Sequence, residues 1–365
     1  MPVSDNEVDR AASNLLFACA AARVGETLLI LHESAQYGYF GAGLAPALAA
    51  AAERLGLAVT TVEVGFDPDA TRLPDAVHEA VARADHALFL ARLGDQLRFK
   101  AMPAGSRPIV SYVLDETALA SPFGTADHRA MVALSAAIDR HLAGAREIRV
   151  TCPLGTDLAG AIAPERAAAP YDTSIKRFPQ SVHRPVDATG FSGRVAVAHM
   201  LCGTGSRYYQ PYGIPLASPV IAEIGGGRIR GWSGRPDVVA RVEDHVATVA
   251  DRFGIDGALV HSWHTGIHPG CAYPGSAHDH YERWSGSAFG NPRILHFHTC
   301  GHYAPGEICW NIIDPTVAVD GVPVWRDGRL DIAAVPGAAA ILAEHPDVAA
   351  LFAAPERRIG LDAAA

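Results

Sequence analysis

The chain has 365 residues, of which 49% are hydrophobic and 19% charged, with a formal net charge of −9. This is globular composition, outside the range of disordered chains, and the length exceeds what one compact core usually serves, so two domains are expected. The moderate, dispersed negative charge, with no basic stripe carrying interleaved aromatics, argues against nucleic acid as a partner.

The N-terminal stretch MPVSDNEVDRAASNLL has no basic segment ahead of an apolar one. No later run holds the about 18 consecutive apolar residues that a spanning helix needs. A cytoplasmic protein with no membrane partner is expected. Ser4 and Glu7 form a capping box that opens a helix running through Leu15, Leu16 and Phe17 toward Gly25. LLILHES then reads as a buried strand, Leu44 to Leu55 as a helix, and VTTVEV as a strand. A helix from Ala76 to Ala84, the strands HALFLARL and PIVSYVL, and a helix from Asp127 to Leu142 complete this half. Short apolar strands alternating with amphipathic helices predict a largely parallel α/β sheet, assigned to an N-terminal domain over residues 1–175. Gly41 and Gly43 lie between a strand and a helix, but Pro46 occupies the third glycine position of a dinucleotide fingerprint and the spacing from the strand is too long. They read as a simple connection, so no nucleotide cofactor is expected.

The second half of the chain changes character, and residues 176–365 are assigned to a mixed, strand-rich α+β domain. REIRVTCPLGTDL, just ahead of that boundary, and GFSGRVAVAHM supply strands, and PVIAEIGGGRIRGWSG reads as a hairpin whose glycines adopt positive φ. One helix, from Asp237 to Phe253, has Pro236 at its start and Gly254 at its stop. LVHSWHTG, ILHFHTCG and EICWNIID follow as three strand-like pieces. The six cysteines are scattered singly and read as buried free thiols, with neither a disulfide framework nor a thiolate zinc site.

Histidine carries the strongest chemical signal. Of 17 in the chain, 8 fall between His261 and His302, namely His261, His264, His268, His278, His280, His296, His298 and His302. Neutral imidazole is a common metal ligand and the usual general base near neutral pH. His296 and His298 stand two apart in ILHFHTCG, so an extended strand turns both to one face, as a metal site or a proton relay requires. Asp314 follows an apolar strand and precedes Pro315. From a strand end it can project into a cleft, and metal coordination or a hydrogen-bonded turn would satisfy it; Glu307, at the start of the same strand, is the alternative carboxylate.

CPLGTDL, FPQSVHRP with a glycine-flanked strand after it, HTGIHPG, LHFHTCG and NIIDPTV together resemble the aminopeptidase T-like metallopeptidases and their relative 2,5-dihydroxypyridine 5,6-dioxygenase, a mononuclear non-haem iron enzyme. The resemblance covers most of the chain. It implies that the peptidases' metal ligands fall here on Ser181, His264, His296 or His298, Ile312 and Asp314. Absence of a carboxylate at Ser181 and of an imidazole at Ile312 argues against a second metal, and His264 matches the dioxygenase, which also has a histidine there. With no histidine at Ile312, a histidine of the HFHTCGH stretch is expected to supply the second imidazole, so that a single iron(II) is held by His264, by His298, His296 or His302, and by Asp314. His183, His268, His302 and Tyr281 are the expected proton-handling residues, the substrate a small hydroxylated aromatic or N-heterocyclic ring, and the assembly a homodimer. A zinc-dependent or other metal-dependent aminopeptidase or amidase is the alternative, followed by an inactive binding homologue.

Overall fold

A computed structural model describes residues 4–168, 173–302 and 306–361. The chain divides into two compact units, and the division is not a single cut. Residues 1–132, 171–180 and 205–207 form the first unit, and residues 133–170, 181–204 and 208–365 the second.

The first unit is built on a parallel five-stranded sheet. Its strands run in the order Ala58–Val64, Thr27–Glu33, His86–Leu90, Pro108–Ser111, Lys176–Phe178. Leu29 and Leu31 pack with Phe89, Val110 and the helix residues Val77 and Val81, while the alternate residues Leu28 and Ile30 are equally buried. Burial of both faces is why these strands read as continuous apolar runs. The capping box at Ser4 and Glu7 forms as the sequence predicts. The helix it opens is regular only to Ser13 and continues as π-helical turns over Asn14–Cys19. There the Asn14 side chain donates to the carbonyls of Gly124 and Ala126 and accepts from the His128 N–H. HALFLARL is strand only to Leu90, and Arg92–Gln96 is a short helix. The turn delivers the buried Arg92 guanidinium to the Glu33 carboxylate, at 2.8 Å. Gly41 and Gly43 serve packing: a Cβ on either would collide with Asp115 or Glu116.

The second unit holds two antiparallel sheets. One has six strands in the order Gly213–Pro215, Met200–Gly203, Ile308–Ile313, Ile294–Thr299, Val260–Thr265, Val186–Asp187. The other has eight and includes the predicted glycine hairpin, Val220–Ile224 with Ile229–Gly234, in which Gly226 and Gly227 take positive φ. Helix Pro236–Phe253 starts and stops where the proline and Gly254 place it. Aromatic residues join the two sheets: Trp263 meets Phe191 at 5.8 Å between ring centroids, and Trp310 meets Trp232 at 5.2 Å. The fold class is thus the expected one, a parallel α/β sheet and a strand-rich α+β part. No helix among the described residues is long and apolar enough to cross a membrane.

Two consequences are measurable. Phe297 is fully buried in this aromatic layer, on the sheet face opposite the neighbouring histidines. Phe297→Ala is expected to cost about 3–5 kcal/mol in urea unfolding. In the first unit His128 stacks on Phe178, and burial pushes its pKa down to about 4. The unfolded chain takes up this proton at higher pH than the folded one. Stability is therefore complete above about pH 6.5 and falls toward pH 4, at roughly 1.4 kcal/mol per pH unit for this group. Urea midpoints measured at pH 7 and pH 5 should draw closer together in His128→Phe.

Candidate metal centre

The site follows from strand pairing. In the six-stranded sheet His264 lies directly opposite His296, which lies opposite Asn311; in the adjacent row Ser262 faces His298, which faces Cys309. Directly opposed residues of antiparallel strands share a face, and alternate residues along one strand do too. His264, His296 and His298 therefore gather on one side of the sheet, and Trp263, Phe297 and Trp310 on the other.

The three imidazoles make a compact triangle, with ring centroids 4.2, 4.9 and 4.9 Å apart. One nitrogen from each lies within 4.8 Å of the others, and all three side chains are buried. Two nitrogens bound to one ion at about 2.1 Å sit roughly 3–4 Å apart, so the cluster needs to close by only about an ångström. Outer hydrogen bonds set the ring orientations. His264 Nδ1 lies 2.9 Å from the His183 carbonyl and must donate to it, which leaves the lone pair on Nε2. His298 Nδ1 is 3.1 Å from the Ser262 hydroxyl, which also lies 2.8 Å from His261 Nδ1. The His296 ring stacks on Phe289 at 4.0 Å. Rings held through Nδ1 contacts at His264 and His298 and by stacking at His296, each with a nitrogen left for the cluster, are arranged as metal-binding histidines are, and the residues fit a single divalent ion.

The structure places the other expected residues elsewhere. Asp314 is a correction: the strand ends at Ile313, and Asp314 takes a left-handed φ of 51° that turns it out of the row. Its carboxylate receives two hydrogen bonds from Arg293, at 2.7 and 2.8 Å, and a third from Arg357 at 3.3 Å. Neither Asp314 nor Glu307 is in the cluster of ligating atoms among the described residues. Ile312, paired with Leu295, belongs to the opposite face. His183 is also corrected. Its Nδ1 donates to the Arg184 carbonyl at 2.7 Å and its Nε2 accepts from the Thr265 N–H at 2.9 Å, so both nitrogens are committed to backbone and burial holds the pKa down to about 4. It positions His264 through its carbonyl and is not a proton shuttle.

His302 is exposed and outside the cluster. His268 is fully buried and accepts the Gly270 N–H at Nδ1, which puts its proton on Nε2. Tyr281 begins the helix Tyr281–Ala288 with its ring over Gly213, and its hydroxyl is 3.5 Å from His278 Nδ1. Gly213 pairs with Cys202, and Cys202 with Cys309, so Tyr281 covers the far end of the face that carries the histidines.

Ser262, Cys309 and Asn311 share that face and escaped the sequence reading. ICWNII is buried on both sides, and a continuous apolar run does not announce which parity faces the histidines. Only the pairing with ILHFHT settles it.

No protein-family model and no curated protein sequence matches the chain. Its fold does match solved structures. The structure of 2,5-dihydroxypyridine dioxygenase from Pseudomonas putida KT2440 aligns with a TM-score of 0.58 at 15% identity, over 92% of this chain and 99% of that one. Wild-type AmpT from Thermus thermophilus aligns with a TM-score of 0.50 at 10% identity, over 89% and 99%. The resemblance seen in the sequence motifs is thus matched in fold, and at these identities the likeness is one of fold.

Because Asp314 closes a structural ion pair, Asp314→Ala should remove the hydrogen bonds it accepts from Arg293 and Arg357. A loss of about 1–3 kcal/mol in urea unfolding is expected, with the metal content of the purified protein unchanged.

Proposed function

We propose that the chain is a mononuclear non-haem iron(II) dioxygenase that opens a small hydroxylated aromatic or N-heterocyclic ring, as 2,5-dihydroxypyridine 5,6-dioxygenase does. The observation that carries this reading is the cluster of His264, His296 and His298 on one face of a buried sheet, in a fold that a dihydroxypyridine dioxygenase also has. His264, His296 and His298 would hold iron(II) through three neutral imidazoles, and the ion would supply open coordination positions for substrate and dioxygen.

The chain's own residues do the rest. The His183 carbonyl fixes the tautomer and plane of His264, and the Ser262 hydroxyl holds the plane of His298, so that little reorientation is needed as a ligand arrives. Phe289 locks the third ring by stacking, and with Trp284, 5.3 Å away, it presents an apolar wall beside His296. Such a wall excludes water and suits a planar ring. His268, protonated at Nε2, and the Tyr281 hydroxyl are the proton-handling groups of this reading.

A second reading has one specific observation in its favour. Three imidazoles with no carboxylate also make a zinc donor set that activates water, which would make the protein a metallohydrolase.

Metal analysis of anaerobically purified protein, with oxygen uptake measured on 2,5-dihydroxypyridine and catechols, separates the two. Near one iron per chain and substrate-dependent oxygen consumption are expected, and His264→Ala should abolish both. Zinc with no oxygen uptake would move the assignment to hydrolysis.

A further inference from the structure

Asn311 is 1% exposed, in the middle strand of the histidine sheet, and directly opposite His296. Its Nδ2 donates to Cys202 Sγ at 3.8 Å, toward the strand Met200–Gly203 on one flank. Oδ1 is the end of the carboxamide that this contact leaves unused, on the sheet face that Asn311 shares with His296. That oxygen is buried and has no hydrogen-bond partner among the described residues. A buried amide oxygen without a donor is costly, and nearly all such groups in folded proteins are satisfied. An amide carbonyl is also a hard oxygen donor for a divalent cation.

The neighbouring charges give this oxygen a consequence. Asp314 is committed to Arg293 and Arg357, and no carboxylate joins the cluster among the described residues. We propose that Asn311 Oδ1 is the oxygen donor of the metal centre, completing with His264, His296 and His298 an all-neutral three-nitrogen, one-oxygen set whose double positive charge, cancelled by no ligand, selects substrates that chelate as anions. The proposal rests on the metal-centre reading and adds to it the fourth donor and the charge class of the substrate. A carboxylate in the set would cancel one of the two charges; a carboxamide cancels none. Deprotonated hydroxyls on a ring, or a ring hydroxyl beside a carboxylate, are the ligands such a centre binds best.

The test uses metal-free full-length protein titrated with cobalt(II), read by the visible d–d bands, with azide then added as the anionic probe. Wild type is expected to bind one cobalt and then azide. Asn311→Ala should weaken cobalt binding about tenfold to a hundredfold and alter the bands. The isosteric Asn311→Asp keeps an oxygen and adds a negative charge. It should tighten cobalt binding and weaken azide binding about tenfold, and circular dichroism should show both variants folded. If either folded variant binds cobalt and azide as wild type does, while His264→Ala abolishes cobalt uptake, the Asn311 assignment is overturned and the histidine centre stands. A wild-type protein that takes up no cobalt overturns both.

Discussion

The antiparallel register of three strands, Val260–Thr265, Ile294–Thr299 and Ile308–Ile313, is the constraint on which the site depends. It sets His264 against His296 and Ser262 against His298. The same pairing turns Trp263, Phe297 and Trp310 to the far face, where they pack against Phe191 and Trp232. A slip of one residue would bury the imidazoles in the aromatic layer and expose the tryptophans to the site, so the energy that holds the sandwich together also holds the histidine triangle. Core and site are two faces of one pairing, and neither can drift without the other.

Electrostatics then divides the carboxylates from the imidazoles. Asp314 sits next to the site in sequence, yet two arginines hold it where the strand ends, with the left-handed backbone at Asp314 completing the turn. The cluster is left with neutral donors whose orientation comes from a backbone carbonyl, a serine hydroxyl and a stacked phenyl ring. Such a site gives an ion little charge compensation and leaves most of its field to whatever binds next.

Much of this was legible in the sequence where a local rule decides structure. The capping box at Ser4, the proline start and glycine stop of helix Pro236–Phe253 and the glycine hairpin at Gly226 and Gly227 all depend on a few adjacent residues. The alternation of His296 and His298 likewise gave their common face. What could not be read were outcomes set by distant partners. Arg92 leaves its strand to reach Glu33, fifty-nine residues away, and Asp314 is claimed by Arg357, forty-three residues on. His183 looks like any other histidine of the cluster until its two nitrogens are found on backbone groups. Ser262, Cys309 and Asn311 had no signal of their own, because a strand buried on both faces carries no polar alternation.

The central claim is that His264, His296 and His298 together hold one ion. X-ray absorption at the iron edge of anaerobically loaded protein tests it most directly, since imidazole rings give a distinctive outer-shell pattern. One iron per chain with three imidazoles bound is expected, with the loss of that pattern when His296 is replaced. A shell with fewer than three imidazoles, or a second metal at bonding distance, would contradict it.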